Sequence, residues 1–247
     1  MRKRSFILDD IVRVKIPDGY FEGKIIAMPK LDKICFVEVQ RGDEVRRFLL
    51  DENVTLIKEA TKPIFNLKEQ NSKVALSSLF IVDGKTKGYL QKYANDNFIL
   101  ILNKLVEECN FKVNLDILDS RVQALAESRS MTDSQSYLSI SSKLLSPDVD
   151  NFIKEQFDAG FWVSENIEQV LRHEFGHLIT YRYLQKNGHE PLLDKWLFEV
   201  LGKRFWQVDG MSANGKQDAF EIIAESWANP DYSETTRKIY NKIKEWL

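Results

Sequence analysis

The sequence contains few cysteines, little net charge and no long apolar run. Its two cysteines, Cys35 and Cys109, lie in separate apolar segments, so we expect buried free thiols rather than a disulfide framework. The 35 basic and 37 acidic residues leave a net charge of −2, which gives no support to a nucleic-acid or anionic-membrane partner. No run approaches the roughly 20 apolar residues of a membrane span, and none is expected.

The N-terminus lacks the organisation of a secretory signal peptide. It begins with basic residues, but Asp9 and Asp10 interrupt the apolar stretch that follows, and no small-residue cleavage site is present. We therefore expect a soluble chain that is cytoplasmic as synthesised and would need a non-classical route for any export. Its oligomeric state is not readable from the sequence.

The chain is long enough for two unequal domains, because it has 247 residues of which 43% are hydrophobic. Residues 1–60 alternate short β-branched or aromatic runs with turn residues and predict five short strands. A closed barrel buries such strands without exposed edges, so we predict an SH3-like β-barrel. Residues 61–88 mix lysine, serine and glycine with short apolar patches and are interpreted as a linker.

Residues 89–247 are predicted to be mainly helical with a small sheet. Apolar residues recur at helical spacing from Leu90 to Leu105, and alternate residues from Phe111 to Ile117 are apolar, as in a half-buried strand. A second strand is predicted in "SYLSISSKLL", and the remaining segments have helical patterns. The predicted fold class is therefore α+β.

One predicted helix contains two of the chain's three histidines, in "LRHEFGHLITYR". Ser164 can cap its N-terminus, and Gly188 provides a left-handed stop after a cationic last turn. The helix is therefore predicted to run from about residue 165 to residue 187.

The spacing of the histidines is that of a zinc site. At 3.6 residues per turn, His173 and His177 lie on one face of the helix, where both imidazoles can reach one ion. Glu174 would then flank a water molecule on that ion. Gly176 costs about 1 kcal/mol of helix propensity, which favours a position where close packing requires glycine. The competing interpretation is an ordinary amphipathic helix with two satisfied histidines.

A catalytic zinc ion needs a third protein ligand, and the sequence offers several. The metzincin continuation of the motif is excluded, because Thr180 and Tyr183 occupy the positions of its glycine and histidine. His189 follows the helix directly and is expected at the surface. Glu199 in "KWLFEVLGK" lies about where thermolysin-like enzymes place their ligand.

Glu221 and Glu225, in "QDAFEIIAESWANP", are the alternative ligands. They share one face of an apolar helix, and a bound cation would remove the cost of burying their charges. A solvated pair of glutamates on an amphipathic helix would give the same pattern. The residues alone therefore leave the third ligand open.

The segment "HEFGH" followed later by "EIIAE" resembles the two motifs of the anthrax lethal-factor type of gluzincin, a group that includes the clostridial Pro-Pro endopeptidases. The resemblance implies a zincin-like metallopeptidase domain in which His173, His177 and Glu221 bind Zn²⁺. It also implies that Glu174 is the general base and that Glu225 supports the site from behind the ligands.

The resemblance covers about residues 90–247 and leaves out the predicted barrel. It departs from the family at Asn214, where the family carries a tyrosine that steadies the oxyanion. No tyrosine occurs between Tyr183 and Tyr232. We therefore predict that Asn214 takes the catalytic role of that tyrosine through its side-chain amide.

The resemblance further implies that the strand before the active helix binds the substrate as an added antiparallel strand. The candidate is "SQSYLSIS", residues 134–141, with Tyr137, Leu138 and Ser139 as the substrate-binding residues. Its backbone would bind a peptide with little sequence selectivity.

The leading interpretation is a zinc-dependent endopeptidase that acts on a protein or peptide substrate. Zinc would lower the pKa of a bound water, and Glu174 would remove its proton and pass it to the departing amine. The alternative is a catalytically weak or inactive zincin-fold interaction protein, associated with a toxin or a mobile element, that binds through its N-terminal barrel. The missing tyrosine favours the alternative, whereas Glu174 opposes it because a structural zinc does not need this residue.

Overall fold

The structure is a computed structural model, and it describes residues 11–17, 19–27, 30–31, 34–42, 44–49, 53–58, 67–118, 125–130, 135–187 and 191–247. The chain divides into two compact units, Met1–Ile64 and Phe65–Leu247. Strands make up the described part of the first unit, and the second combines helices with a small sheet. The prediction of an α+β chain is confirmed.

The first unit is a curled antiparallel sheet. Its described strands are β1 (Ile11–Ile16), β2 (Gly19–Ala27), β3 (Lys30–Leu31), β4 (Ile34–Arg41), β5 (Glu44–Leu49) and β6 (Val54–Lys58). The strand order is β3-β4-β2-β1-β6, and β5 also pairs with β4. Register shifts in β1 and β2 bend the strands. Five strands were predicted, and the sixth is the two-residue β3, which is too short to produce a sequence pattern.

Alternate residues of these strands form the core of the first unit. The fully or nearly fully buried side chains are Val12, Val14, Phe21, Ile25, Val37, Val39 and Val54. The arginines of the intervening positions are exposed, and several pair with glutamates, as Arg13 does with Glu22. The period of two thus separates an apolar inner face from a charged outer face.

Seven α-helices are described in the second unit. They are α1 (Gly84–Tyr93), α2 (Asp96–Cys109), α3 (Val149–Asp158), α4 (Ile167–Asn187), α5 (Pro191–Leu201), α6 (Ala219–Ala228) and α7 (Glu234–Ile243). Side chains cap several of them, including Asn95 before α2 and Asp218 before α6. Within the described ranges, no helix combines the length and the apolar character that a bilayer crossing requires.

A four-stranded sheet accompanies the helices. Its strands are β7 (Phe80–Ile81), β8 (Val113–Leu118), β9 (Ala126–Ser130) and β10 (Ser136–Ser141), in the order β7-β8-β10-β9. The pairs β7-β8 and β8-β10 are parallel, whereas β9 runs antiparallel to β10. The polar sequence of β9, "AESRS", has no strand periodicity, so the sequence analysis missed this strand.

Residues 67–88 belong to the second unit and do not form the predicted linker. Ser77 donates a backbone hydrogen bond to Oδ1 of Asn103, and Nδ2 of the same asparagine donates to the carbonyl of Ala75. Strand β7 extends the sheet at β8. Much of the segment resembled a linker because its backbone bonds to a side chain of α2 and to strand β8. Residues from Gly84 onward already belong to α1. Residues 59–66 lie outside the described residues.

The central helix α4 packs against the sheet and against α6. It begins at Ile167, two residues later than predicted, because Oδ1 of Asn166 rather than Ser164 accepts the capping hydrogen bond, from the backbone of Gln169. A Cβ on Gly176 would come within 2.8 Å of Cα of Ala224, so glycine is required where α4 crosses α6. This close approach brings the polar face of α4 up to the side chains of α6.

The thiol of Cys109 is free and buried at the end of α2. Its burial, with a smaller contribution from the neighbouring Glu108, raises the pKa of the thiol to about 12. Cys109 is therefore a packing residue rather than a nucleophile.

Candidate metal centre

Three potential ligands converge where α4 meets α6. Nε2 of His173 lies 3.1 Å from Nε2 of His177, one turn further along α4. Glu221 of α6 faces both, with Oε2 at 3.2 Å from His173 Nε2 and Oε1 at 3.5 Å from His177 Nε2. In the described part of the chain, these residues form the one group of histidine, cysteine or acidic side chains with the spacing of a metal site.

The spacing of the ligand atoms fits a zinc ion. Zinc binds histidine nitrogen and carboxylate oxygen at about 2.0 to 2.2 Å in tetrahedral geometry, so two such ligands stand about 3.3 Å apart. The three observed separations, 3.1, 3.2 and 3.5 Å, fall close to that value. Two imidazoles and one carboxylate are also a donor set that zinc prefers, and they leave one tetrahedral position for a water or a substrate.

The side chains of the centre shift one another's pKa values. Burial lowers the pKa of His173, but the hydrogen bond and charge of Glu221, with the charges of Glu174 and Glu225, outweigh it and raise the pKa to about 9. Burial by itself would raise the pKa of the Glu221 carboxyl. The two histidines outweigh this effect and hold the pKa far below its usual range. A divalent cation held by these residues would take the place of the proton on His173.

Asn214 is hydrogen-bonded to Glu221, one of the three potential ligands. Its Nδ2 donates a hydrogen bond to Oε2 of Glu221 at 2.7 Å, and its Oδ1 accepts one from Nε2 of Gln217 at 2.8 Å. The amide was predicted to donate to an oxyanion, but it donates to a carboxylate that faces the histidines. The described contact thus gives Asn214 the role of orienting Glu221.

Glu225 lies behind the ligands and is only 1% exposed. Its carboxylate accepts hydrogen bonds from the hydroxyl and the backbone N–H of Ser212, and burial raises its pKa to about 7. The same hydroxyl accepts from the backbone of Asn214 and Gly215. A Cβ on Gly215 would overlap the carboxylate. Glu225 therefore anchors the loop that carries Asn214.

Glu174 stands at the rim of a cleft of about 730 Å³ that also exposes the ligands. Its Oε2 accepts a hydrogen bond of 2.8 Å from Oγ of Ser128 in β9. Apolar walls extend the cleft on both sides of the centre, with Val170 and Trp162 among those toward the start of α4 and Tyr181 toward its end. Sequence analysis missed Ser128, because a single serine in a polar stretch carries no signal of its own.

The predicted substrate strand lies inside the sheet. Tyr137, Leu138 and Ser139 belong to β10, whose backbone pairs with β8 on one side and with β9 on the other. Leu138 and Ser139 are also at most 1% exposed. The prediction that these residues bind substrate is wrong, because the unpredicted strand β9 takes the outer position of the described sheet and covers β10.

Glu199, which was a candidate ligand, is not part of the centre. Glu199 is on α5, where its side chain is 61% exposed and pairs with Lys195. His189 lies outside the described residues.

Family models, curated proteins and solved structures were compared with the chain, and none of them matches it. The chemistry of the centre is therefore inferred from its own side chains.

Proposed function

We propose that the chain is a zinc-dependent endopeptidase of the lethal-factor-like gluzincin type, with a zincin-like second unit and an SH3-like barrel as the first. One observation carries the proposal: His173, His177 and Glu221 form a triangle of zinc dimensions beside Glu174, in an open cleft. A purely structural zinc site would be closed and would have no use for a free carboxylate at its rim.

The roles of the residues follow from their positions. The two histidines, through Nε2, and Glu221 would hold Zn²⁺, which supplies Lewis acidity that polarises the scissile carbonyl and acidifies water. Glu174 accepts the proton of the attacking water and donates it to the departing amine, so that the free carboxylate returns after each turnover. Asn214 holds Glu221 by its hydrogen bond, and Glu225 holds the loop of Asn214.

The substrate would bind along β9. This strand is one of the two edge strands of the described sheet, it runs antiparallel to β10, and its Ala126 and Ser128 line the cleft. A peptide paired to its outer edge would extend the sheet and lie across the metal centre. Backbone hydrogen bonds are the same for every sequence, so selectivity would come from the apolar walls of the cleft.

A catalytically weak or inactive interaction protein, associated with a toxin or a mobile element, is the second candidate. The contact of Asn214 with Glu221 favours this candidate. Asn214 stands at the position of the family's oxyanion tyrosine, but its side-chain amide donates a hydrogen bond to the proposed ligand Glu221 instead. In that case zinc would stabilise the second unit, and the N-terminal barrel would bind the partner.

Cleavage of a mixed peptide library, analysed by mass spectrometry, separates the two functions. The wild-type protein should cleave, a chelator should abolish cleavage, and added zinc should restore it. Glu174→Gln should be inactive while retaining about one zinc ion per chain, because this residue does not bind the ion. Glu165→Gln, at an exposed residue before α4, is the matched control and should cleave normally. A zinc-replete wild-type protein without activity would favour the interaction protein.

A further inference from the structure

The inner face of β9 places the hydroxyl of Ser128 next to apolar side chains of β10. Ser128 stands opposite Leu138 of β10, and Ala126 opposite Ile140, so their side chains share the face that covers the core. Leu138 and Ile140 are fully buried. These apolar neighbours offer the Ser128 hydroxyl no hydrogen bond, so a protein partner has to come from another element.

The next residue of β9 points the other way. Arg129 stands opposite Tyr137, its guanidinium lies over the ring of that tyrosine, and it approaches Asp116 of β8. The two faces of β9 are thus distinct, and the orientation of Ser128 toward α4 follows from the register of the strand. This register is held by the backbone pairing with β10.

The partner of the hydroxyl is the proposed general base. Ser128 Oγ donates to Oε2 of Glu174 at 2.8 Å. Among the described residues, this is the one hydrogen bond found on the Glu174 carboxylate, and it engages Oε2. A glutamate side chain free to rotate has several rotamers, and holding it in one costs conformational entropy. A fixed hydroxyl can select that rotamer in advance.

We propose that Ser128 is a positioning residue that holds the Glu174 carboxylate by Oε2 and thereby presents Oε1 to the attacking water. The inference rests on the proposed peptidase function. Because β9 would also bind the substrate, one strand would align both the peptide and the base. Serine at this position therefore links substrate docking to the orientation of the proton acceptor.

The test compares Ser128→Ala with Ser128→Thr in the full-length zinc enzyme. Loss of the hydroxyl should lower kcat by about ten- to a hundredfold, the range for outer partners of a metal site, while KM changes by less than about twofold. Threonine keeps the hydroxyl and suits a strand, so Ser128→Thr should recover most of the rate. Ser78→Ala, at an exposed serine before β7, is the matched control. Zinc content should equal that of the wild type in all three.

A second measurement does not depend on catalysis. In zinc-free protein, Ser128→Ala should lower the melting temperature by about 2 to 4 °C when Glu174 is present and by less in a Glu174→Ala background. Equal shifts in the two backgrounds would overturn the hydrogen bond. A normal kcat in Ser128→Ala, beside an inactive Glu174→Gln, would overturn the role of Ser128 and leave the peptidase standing. A wild-type chain that cleaves nothing would overturn both.

Discussion

Asn214 donates a hydrogen bond from Nδ2 to Oε2 of Glu221 over 2.7 Å, and the backbone of the same asparagine is tied to the hydroxyl of Ser212. Ser212 in turn contacts the buried carboxylate of Glu225. The loop before α6 is thus joined at both points to the helix that carries Glu221, the proposed third ligand. Partners of this kind orient a metal ligand and keep it deprotonated.

Removal of the Asn214 amide should weaken zinc binding. We expect Asn214→Ala to lower zinc affinity by about ten- to a hundredfold, because Glu221 loses the donor that orients it. Competition with a chromophoric chelator measures this change. Asn187→Ala, at an exposed asparagine at the end of α4, is the control. If zinc affinity were unchanged while kcat fell about a hundredfold, Asn214 would instead be an oxyanion donor.

The three candidate glutamates should separate by metal content. Glu221→Ala should purify largely without zinc, since it removes a ligand atom. Glu225→Gln should keep its zinc with reduced affinity, because its side chain contacts the loop rather than the ligand group. Glu199→Ala should resemble the wild type, since this residue is exposed on α5. A zinc-free Glu199→Ala beside a zinc-replete Glu221→Ala would reverse the assignment.

The boundary of the second unit can be tested by truncation. A fragment that begins at Phe65 should fold and bind zinc, because it retains the whole second unit. A fragment that begins at Tyr89 should not, since it lacks β7, the first turn of α1 and the segment bonded to Asn103. Circular dichroism and zinc content report the result. Equal stability of the two fragments would show that residues 65–88 are dispensable.

The ion pairs at the start of α4 predict a pH-dependent stability. Lys104, and more weakly Arg172, hold the pKa of Glu168 below its usual value, against the effect of burial. A depressed pKa in the folded state gives stability that is present above the unfolded-state value of about 4.3 and is lost at lower pH. Glu168→Gln should therefore lower the unfolding free energy by about 0.5 to 1 kcal/mol at pH 7.

That difference should shrink as the pH falls below about 4, when the wild-type carboxylate also becomes neutral. Urea titrations of the zinc-free protein at pH 7 and at a pH below about 4 measure this difference in unfolding free energy. Glu165→Gln, in the exposed residue before the helix, should leave the unfolding free energy nearly unchanged. A penalty for Glu168→Gln that persisted at low pH would mean that packing, rather than charge, is responsible.

Helical periodicity was sufficient to predict which residues α4 contributes to the candidate metal centre. His173, Glu174 and His177 lie within two turns of one helix, so their relative positions depend on local geometry that the sequence already contains. The same holds for Glu221 and Glu225, which lie one turn apart on α6. Short β-branched or aromatic runs between turn residues likewise predicted strands in the first unit, and alternate side chains of the described strands are buried.

Only the tertiary structure decided which glutamate meets the histidines. The choice depends on the crossing of α4 and α6 at Gly176 and Ala224, a contact between segments that are distant in the chain. That crossing brings Glu221 to the histidines and turns Glu225 toward Ser212. No local pattern contains this information.

The sheet of the second unit was decided in the same way. Strand β9 has a polar sequence and owes its conformation to pairing with β10, and residues 67–88 owe theirs to α2 and β8. In both segments the backbone hydrogen bonds are completed by partners elsewhere in the chain. Periodicity within a segment reports only which of its faces are buried. It therefore did not reveal that β9 is an edge strand or that its Ser128 contacts Glu174.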